Sequence, residues 1–223
     1  KIFVAGHNGL VGSSIVKCLV KNGYKNIIKK DKLELDLSDQ KRTGLFFKKE
    51  KPDVVICAAA KVGGIYANHT YPGQFLFENL SIQNNLIHLS HEFEVKYLLF
   101  LGSACIYPKY AVQPIKEDSM LSGPLEPTNE PYALAKIAGI KLCETYYKQY
   151  SDNFISVMPN NLYGPNDNFH PDTSHVIPAL IQKFHNAKVT SSKHVEIWGT
   201  GNPLREFLHV DDLSEAILFI INN

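Results

Sequence analysis

The stretch from Ile2 to Gly12 constrains the fold most. A short apolar run, Ile2-Phe3-Val4-Ala5, feeds into Gly6-His7-Asn8-Gly9-Leu10-Val11-Gly12, and helical periodicity follows over residues 13–21. That order reads as strand, tight turn, helix. The theme then recurs. Residues 26–29 read as a second strand, and residues 41–51 as a helix that Pro52 ends. Residues 53–58 and 97–101 are apolar on both faces, as parallel strands covered by helices must be. Helical patterns fill residues 74–91 and 131–150, and residues 154–158 form a last apolar run closed by Pro159. Pro131 suits the first turn of its helix.

Strands alternating with helices predict an α/β, Rossmann-like, doubly wound parallel sheet. After Tyr163-Gly164-Pro165 the texture changes to proline, asparagine and histidine. We place a boundary there: a nucleotide-binding domain over 1–162 and a smaller substrate-binding region over 163–223. In the second region we expect a helix over 176–184, a strand over 195–198 and a helix over 212–221 that returns to the first domain. Only about 45 residues precede that last helix, a thin core by domain-size arithmetic. This predicts that the chain continues beyond Asn223.

Composition narrows the function. The chain has 223 residues and a formal net charge of +1, so no global basic field argues for nucleic acid or a membrane surface. No apolar run is long enough to span a bilayer, and the first residues do not resemble a signal peptide. Cys18, Cys57, Cys105 and Cys143 show neither metal-ligand spacing nor a disulfide framework. We therefore expect no metal and a reducing, cytoplasmic setting.

Each glycine of the turn has a physical task. Gly6 permits the bend, Gly9 lets the backbone approach a pyrophosphate, and Gly12 allows close helix–strand packing. The helix N-terminus then faces the anion. The spacing predicts dinucleotide binding. An acidic residue after the second strand would favour NAD, whereas Lys30 and Lys32 flanking Asp31 suit a 2′-phosphate, so the expected cofactor is NADP(H). Asp36-Leu37 either meets the adenine edge, or Asp36 caps a turn.

Downstream, Tyr132-Ala133-Leu134-Ala135-Lys136 puts a phenol and an ammonium one helical turn apart. The ammonium favours phenolate, which makes the tyrosine a usable acid/base. Ser103 follows the strand ending at Leu101-Gly102 and can hold a carbonyl oxygen against that phenol. These are parts for hydride transfer to a carbonyl.

With these residues in hand, the chain resembles the extended short-chain dehydrogenase/reductase family, and within it the 3,5-epimerase/4-reductases of GDP-4-keto-6-deoxymannose. The resemblance rests on Ser103-Ala104-Cys105, Asn161-Leu162-Tyr163-Gly164-Pro165, Asn168-Phe169-His170-Pro171, Ser174-His175-Val176-Ile177-Pro178 and Arg205-Glu206-Phe207-Leu208-His209. It implies that Ser103, Tyr132 and Lys136 form a reductase triad and that Cys105 and His175 form an epimerisation acid/base pair. Residues implied to touch the cofactor are the 6–12 turn, the strand end Leu101-Gly102-Ser103-Ala104, Tyr132, Lys136, Pro159-Asn160-Asn161-Leu162 and His175. Lys183, Trp198 and Arg205 would hold a GDP-sugar. Three positions depart from the family's habit: Asn8 stands where arginine is common, Ala104 where serine is common, and Asn160 where threonine is common.

Two other readings use the same scaffold. A 4,6-dehydratase wants an Asp-Glu pair where Ala104-Cys105 stands, and a simple 4-epimerase has no need of Cys105. A silent nucleotide sensor would tolerate loss of Tyr132 or Lys136, yet both are present. Finally, the helices over 74–91 and 132–150 carry apolar side chains on more than one face, more than a single stripe toward a sheet requires. A second copy of the chain would cover the surplus, so a homodimer is expected.

Overall fold

The computed structural model describes residues 1–170 and 173–223. The chain runs β1 (Ile2–Ala5), α1 (Leu10–Lys21), β2 (Ile27–Ile28), α2 (Gln40–Glu50), β3 (Val54–Cys57), α3 (Ile65–Thr70) and α4 (Pro72–Glu92). It continues through β4 (Tyr97–Leu101), α5 (Glu130–Tyr150), β5 (Phe154–Val157), β6 (Asn161–Tyr163), α6 (Val176–Val189), β7 (Phe207–His209) and α7 (Val210–Asn222). Five strands form a parallel sheet in the order β2-β1-β3-β4-β5, and β6 pairs in parallel with β7 in a separate two-stranded ribbon. The fold is the expected Rossmann-like α/β sheet.

Strand alternation builds two cores. Phe3, Ala5, Val55, Cys57, Leu98 and Phe100 face α2, α4 and α5, packing with Phe47, Leu86, Ile87, Ile137 and Ile140. Ile2, Val4, Ile56, Leu99 and Leu101 face the other way, against Ile15 and Leu19 of α1 and Leu213 and Ile217 of α7. Each such buried side chain contributes roughly 1.5–3 kcal/mol of transfer free energy before entropy is charged against it. This two-sided burial fixes the register β1↔β3↔β4↔β5 and brings all four strands to a common carboxyl edge.

The main differences from expectation lie outside the sheet. Residues 195–198 form no strand, because nothing pairs with them: Ile197 and Trp198 are exposed. The strand near that position is instead β7, held by β6. Helix α6 runs to Val189 rather than 184, and the short helix α3 was not anticipated. The apolar surplus of α4 and α5 is absorbed in part within one chain, since the two helices pack on each other as well as on the sheet. Among the described residues, no helix is long and apolar enough to cross a membrane.

Candidate active site

The sheet's carboxyl edge is occupied first by the glycine turn. Gly6 sits at φ +83°, and a Cβ there would lie 2.7 Å from the Ala58 carbonyl group at the end of β3. A Cβ on Gly12 would lie 2.1 Å from the Gly6 carbonyl oxygen. Neither position accepts a side chain without displacing backbone. A Cβ on Gly9 would meet only the Gly6 oxygen, at 3.5 Å, so its outer side is open. Gly9 also caps α1 with no side-chain hydrogen bond, and the first turn of α1, which carries Leu10 and Val11, has no acidic residue. The N–H groups of that turn are therefore available to an anion. The turn lies between β1 and β3, where the strand order reverses and where such sheets bind nucleotides. The residues present fit a dinucleotide. His7, inside the turn, has a buried Nδ1 with no partner.

The lysines expected near the adenosine are already engaged. Lys30 Nζ lies 2.7 Å from Glu34, and Lys32 Nζ lies 3.9 Å from Glu78. Asp36 accepts from both the backbone N–H and the hydroxyl of Ser38, at 3.0 and 2.7 Å, so the turn-capping alternative is the one the structure displays. The carbonyls of Leu37 and Ser38 accept from Asn85 of α4.

The catalytic candidates converge at the end of β4. Lys136 is 4% exposed, and its ammonium donates to the Leu101 carbonyl at 2.7 Å. It also lies over the rings of Phe100, at 4.8 Å, and Tyr132, at 5.7 Å. Gly102 brings the chain out of the strand, and Ser103 caps a single 3-10 turn over Ala104–Ile106. The Ser103 hydroxyl accepts the Cys105 N–H at 3.5 Å. Burial pushes both the Tyr132 phenol and the Cys105 thiol up, while hydrogen bonding from Ser103 opposes the rise in each. Burial also lowers Lys136 to about 8. The spacing predicts an ammonium that favours phenolate; in the structure desolvation of the phenol is the larger influence and pushes it up.

His175 arrives from another direction. It caps α6 without a side-chain bond, and the preceding Thr173 carbonyl accepts the Gly64 N–H at 2.8 Å. A Cβ on Gly64 would lie 2.5 Å from the Ser174 oxygen. Beside this contact Phe75 sets its ring edge-on to Tyr132, with centroids 6.4 Å apart. The loop before His175 is thus tied to the Lys61–Gly64 segment and through it to the tyrosine. Pro171 of the Asn168-Phe169-His170-Pro171 stretch lies outside the described residues.

The remaining candidates form a looser group. Lys183 of α6 donates to the Glu196 carbonyl at 3.0 Å and lies 4.4 Å over the Trp198 ring, so these two are brought together. The Arg205 guanidinium donates to the Leu204 carbonyl. Pro159 and Leu162 flank two asparagines that anchor the segment leading from Arg205 into β7: Asn160 donates to the Glu206 carboxylate at 2.6 Å and Asn161 to the Glu206 carbonyl at 3.0 Å. The Asn160–Glu206 contact and the Phe75–Tyr132 contact were both missed from sequence. Each joins segments far apart in the chain.

Comparison with known proteins supplies the context. The NAD dependent epimerase/dehydratase family matches residues 2–223. GDP-L-fucose synthase 1 of Arabidopsis thaliana is 60% identical over 222 residues, covering 100% of this chain and 69% of the relative. GDP-L-fucose synthase of Escherichia coli (strain K12) is 53% identical, covering 99% of this chain and 69% of the relative. Among solved structures, the GDP-mannoheptose C4 reductase MlghC from Campylobacter jejuni, with NADP bound, superposes with a TM-score of 0.92 at 39% identity, covering 100% of this chain and 75% of that one.

Proposed function

This chain belongs to the NAD dependent epimerase/dehydratase family, and we propose that within it the protein converts GDP-4-keto-6-deoxy-D-mannose to GDP-L-fucose by 3,5-epimerisation and NADPH-dependent 4-reduction. The observation that carries this reading is the convergence of Ser103, Cys105, Tyr132 and Lys136 at one strand end.

A 4-keto group acidifies the protons on the two neighbouring carbons. Inverting those centres takes proton removal on one face and return on the other, so acid and base must flank the ring. Cys105 and the His175 imidazole, carried on separate segments, are suited to be that acid/base pair. Ser103 and Tyr132 stabilise charge developing on the carbonyl oxygen, as an oxyanion hole does. NADPH, when bound on the glycine turn, supplies the hydride. Tyr132 then gives its proton to the new alkoxide. Lys136, placed over the Tyr132 ring, would hold the nicotinamide ribose of a bound cofactor. Lys183, Trp198 and Arg205 receive the GDP moiety.

In this reading residues 1–162 hold the cofactor and residues 163–223 the sugar nucleotide. Exposed Phe77 of α4 and Leu134 of α5 support a homodimer through those helices. The four free cysteines agree with a reducing cytoplasm. A second reading, 4-reduction of a GDP-heptose, is favoured by the similarity to the heptose C4 reductase. NADPH absorbance separates the two. The proposal expects fast NADPH loss with GDP-4-keto-6-deoxymannose, and slow loss with a GDP-4-keto-heptose or with NADH. The reverse preference for sugars overturns it.

A further inference from the structure

Helix α4 buries three side-chain amides; Asn85 holds the Leu37-Ser38 turn, and the other two lie one turn apart and are not used by the proposed chemistry. Asn79 is 2% exposed and Gln83 is 3% exposed. An amide in an apolar core is unfavourable unless it is paired. A leucine would pack in either place at less risk; Asn79 is bonded at both amide atoms, whereas Gln83 bonds through Nε2 and leaves Oε1 buried without a partner.

Asn79 makes a reciprocal pair of bonds with one backbone unit. Its Oδ1 accepts the Lys61 N–H at 2.8 Å, and its Nδ2 donates to the Lys61 carbonyl at 3.0 Å. Nδ2 also donates to the Phe75 carbonyl at 2.7 Å. Lys61 opens the short segment that ends at Gly64, and Gly64 donates to Thr173, two residues before His175. The Lys61 ammonium returns to the same helix at Glu78 and Gln74, so the segment is held at backbone and side chain alike. Gln83 reaches the opposite way. Its Nε2 donates at 2.6 Å to the Ala135 carbonyl of α5, adjacent to Lys136 and one turn from Tyr132. Gly139 makes the approach possible, since a Cβ there would lie 3.0 Å from the Gln83 amide carbon.

We infer that α4 is a two-ended positioning element. Asn79 sets the loop that carries the epimerisation histidine, and Gln83 sets the helix that carries the reductase pair. The inference rests on the catalytic assignments proposed above. It assigns the two amides to separable halves of one reaction, which a general packing role would not do.

The test compares Asn79→Leu with Gln83→Leu in two assays. Epimerisation is read as deuterium entering the sugar at the two ring carbons beside the ketone, in D2O without NADPH. The C4 step alone is read as initial-rate oxidation of GDP-L-fucose by NADP+, which needs no epimerisation. A misplacement of about 1 Å at a reacting group costs up to ~10²-fold. Asn79→Leu is expected to slow deuterium entry by about tenfold or more and to change C4 oxidation by less than about threefold; Gln83→Leu is expected to slow C4 oxidation by about tenfold or more and deuterium entry by distinctly less, since Ser103 still holds the carbonyl oxygen. The size-conserving variants Asn79→Asp and Gln83→Glu cover the case in which a leucine variant fails to fold, and NADPH binding reports folding in every sample. Equal losses in both assays for either residue overturn the inference, as does no loss in either. A His175→Asn control separates the failures: if it leaves deuterium entry intact, the site assignment is wrong, whatever the amides do.

Discussion

The reductase end and the sugar-nucleotide end of the candidate site are built on different principles. At the first, Lys136 is 4% exposed, bonded to a strand carbonyl and packed over two rings. At the second, Trp198 is 64% exposed and meets Lys183 by a single cation–π contact, while the Lys183 ammonium bonds the Glu196 carbonyl. The first is fixed by a sheet buried on both faces. The second hangs on the three-residue strands β6 and β7 and on loops. Chemistry that depends on distances of a few tenths of an ångström is placed where the scaffold cannot yield. In the proposed reading, recognition of the sugar nucleotide falls to the exposed end, where Trp198 is 64% exposed.

This contrast is open to attack, beginning with the buried end. Tyr132→Phe should lower C4 reduction by ~10²–10⁴-fold, the usual scale for one acid/base group, with little change in cofactor affinity measured by NADPH fluorescence. A loss under tenfold would move the proton donor elsewhere. Lys136→Met should also abolish reduction, yet stabilise the fold. Burial holds this lysine down to about 8 from 10.5, so the folded chain binds fewer protons than the unfolded chain between those values. Stability then rises with pH across that window, and below it the full cost is felt, about 3 kcal/mol at 1.36 kcal/mol per unit. Chemical denaturation at pH 7 should find Lys136→Met more stable than wild type, and a less stable variant would contradict the desolvated-lysine account. The same group should give kcat/KM an alkaline limb starting near pH 8, because an uncharged amine loses its grip on the ribose.

Gly12→Ala tests the other rigid contact. Its methyl would collide with the Gly6 carbonyl oxygen, an overpacking cost of roughly 1–3 kcal/mol, and NADPH affinity should fall with it. At the loose end smaller effects are expected. Trp198→Ala should raise KM about tenfold and leave kcat within about twofold, the mark of binding shared by ground and transition states. A collapse of kcat would mean that the exposed end is as exacting as the buried one. Smallest is the adenosine edge. Replacing Lys30 and Lys32 by alanine should weaken NADPH binding by about tenfold or less and leave NADH binding unchanged, since both lysines are already paired with glutamates. Equal losses for the two cofactors would remove them from the 2′-phosphate.

The same contrast explains what was legible in the sequence. The glycine turn, the four apolar runs and Tyr132-x-x-x-Lys136 depend on local pattern and on burial of both sheet faces, and both are written in residue order. Helix α1 begins at Leu10 because Gly9 supplies its cap, close to where periodicity placed it. Residues 195–198 carry strand-forming side chains, but a strand exists only where another pairs with it, and the partner of β6 proved to be Phe207–His209. Long-range polar contacts were the least visible. Asn160 with Glu206 and Asn79 with Lys61 leave no periodic signal. The upward shift of the Tyr132 phenol is hidden from sequence for a related reason: spacing reports the nearby charge but not the depth of burial beside it.

The most direct test of the central claim, two separable chemistries at one strand end, is Cys105→Ser examined by proton NMR in D2O with GDP-4-keto-6-deoxymannose. The hydroxyl keeps the size and hydrogen bonding of the thiol but is far harder to ionise. Deuterium entry at the two epimerised carbons should fall by ~10²–10⁴-fold while the ketone is still slowly reduced by NADPH, which shifts the product from fucose toward unepimerised 6-deoxyhexoses. Deuterium entering both carbons at the wild-type rate would show that Cys105 only packs, and the account of this site would be wrong.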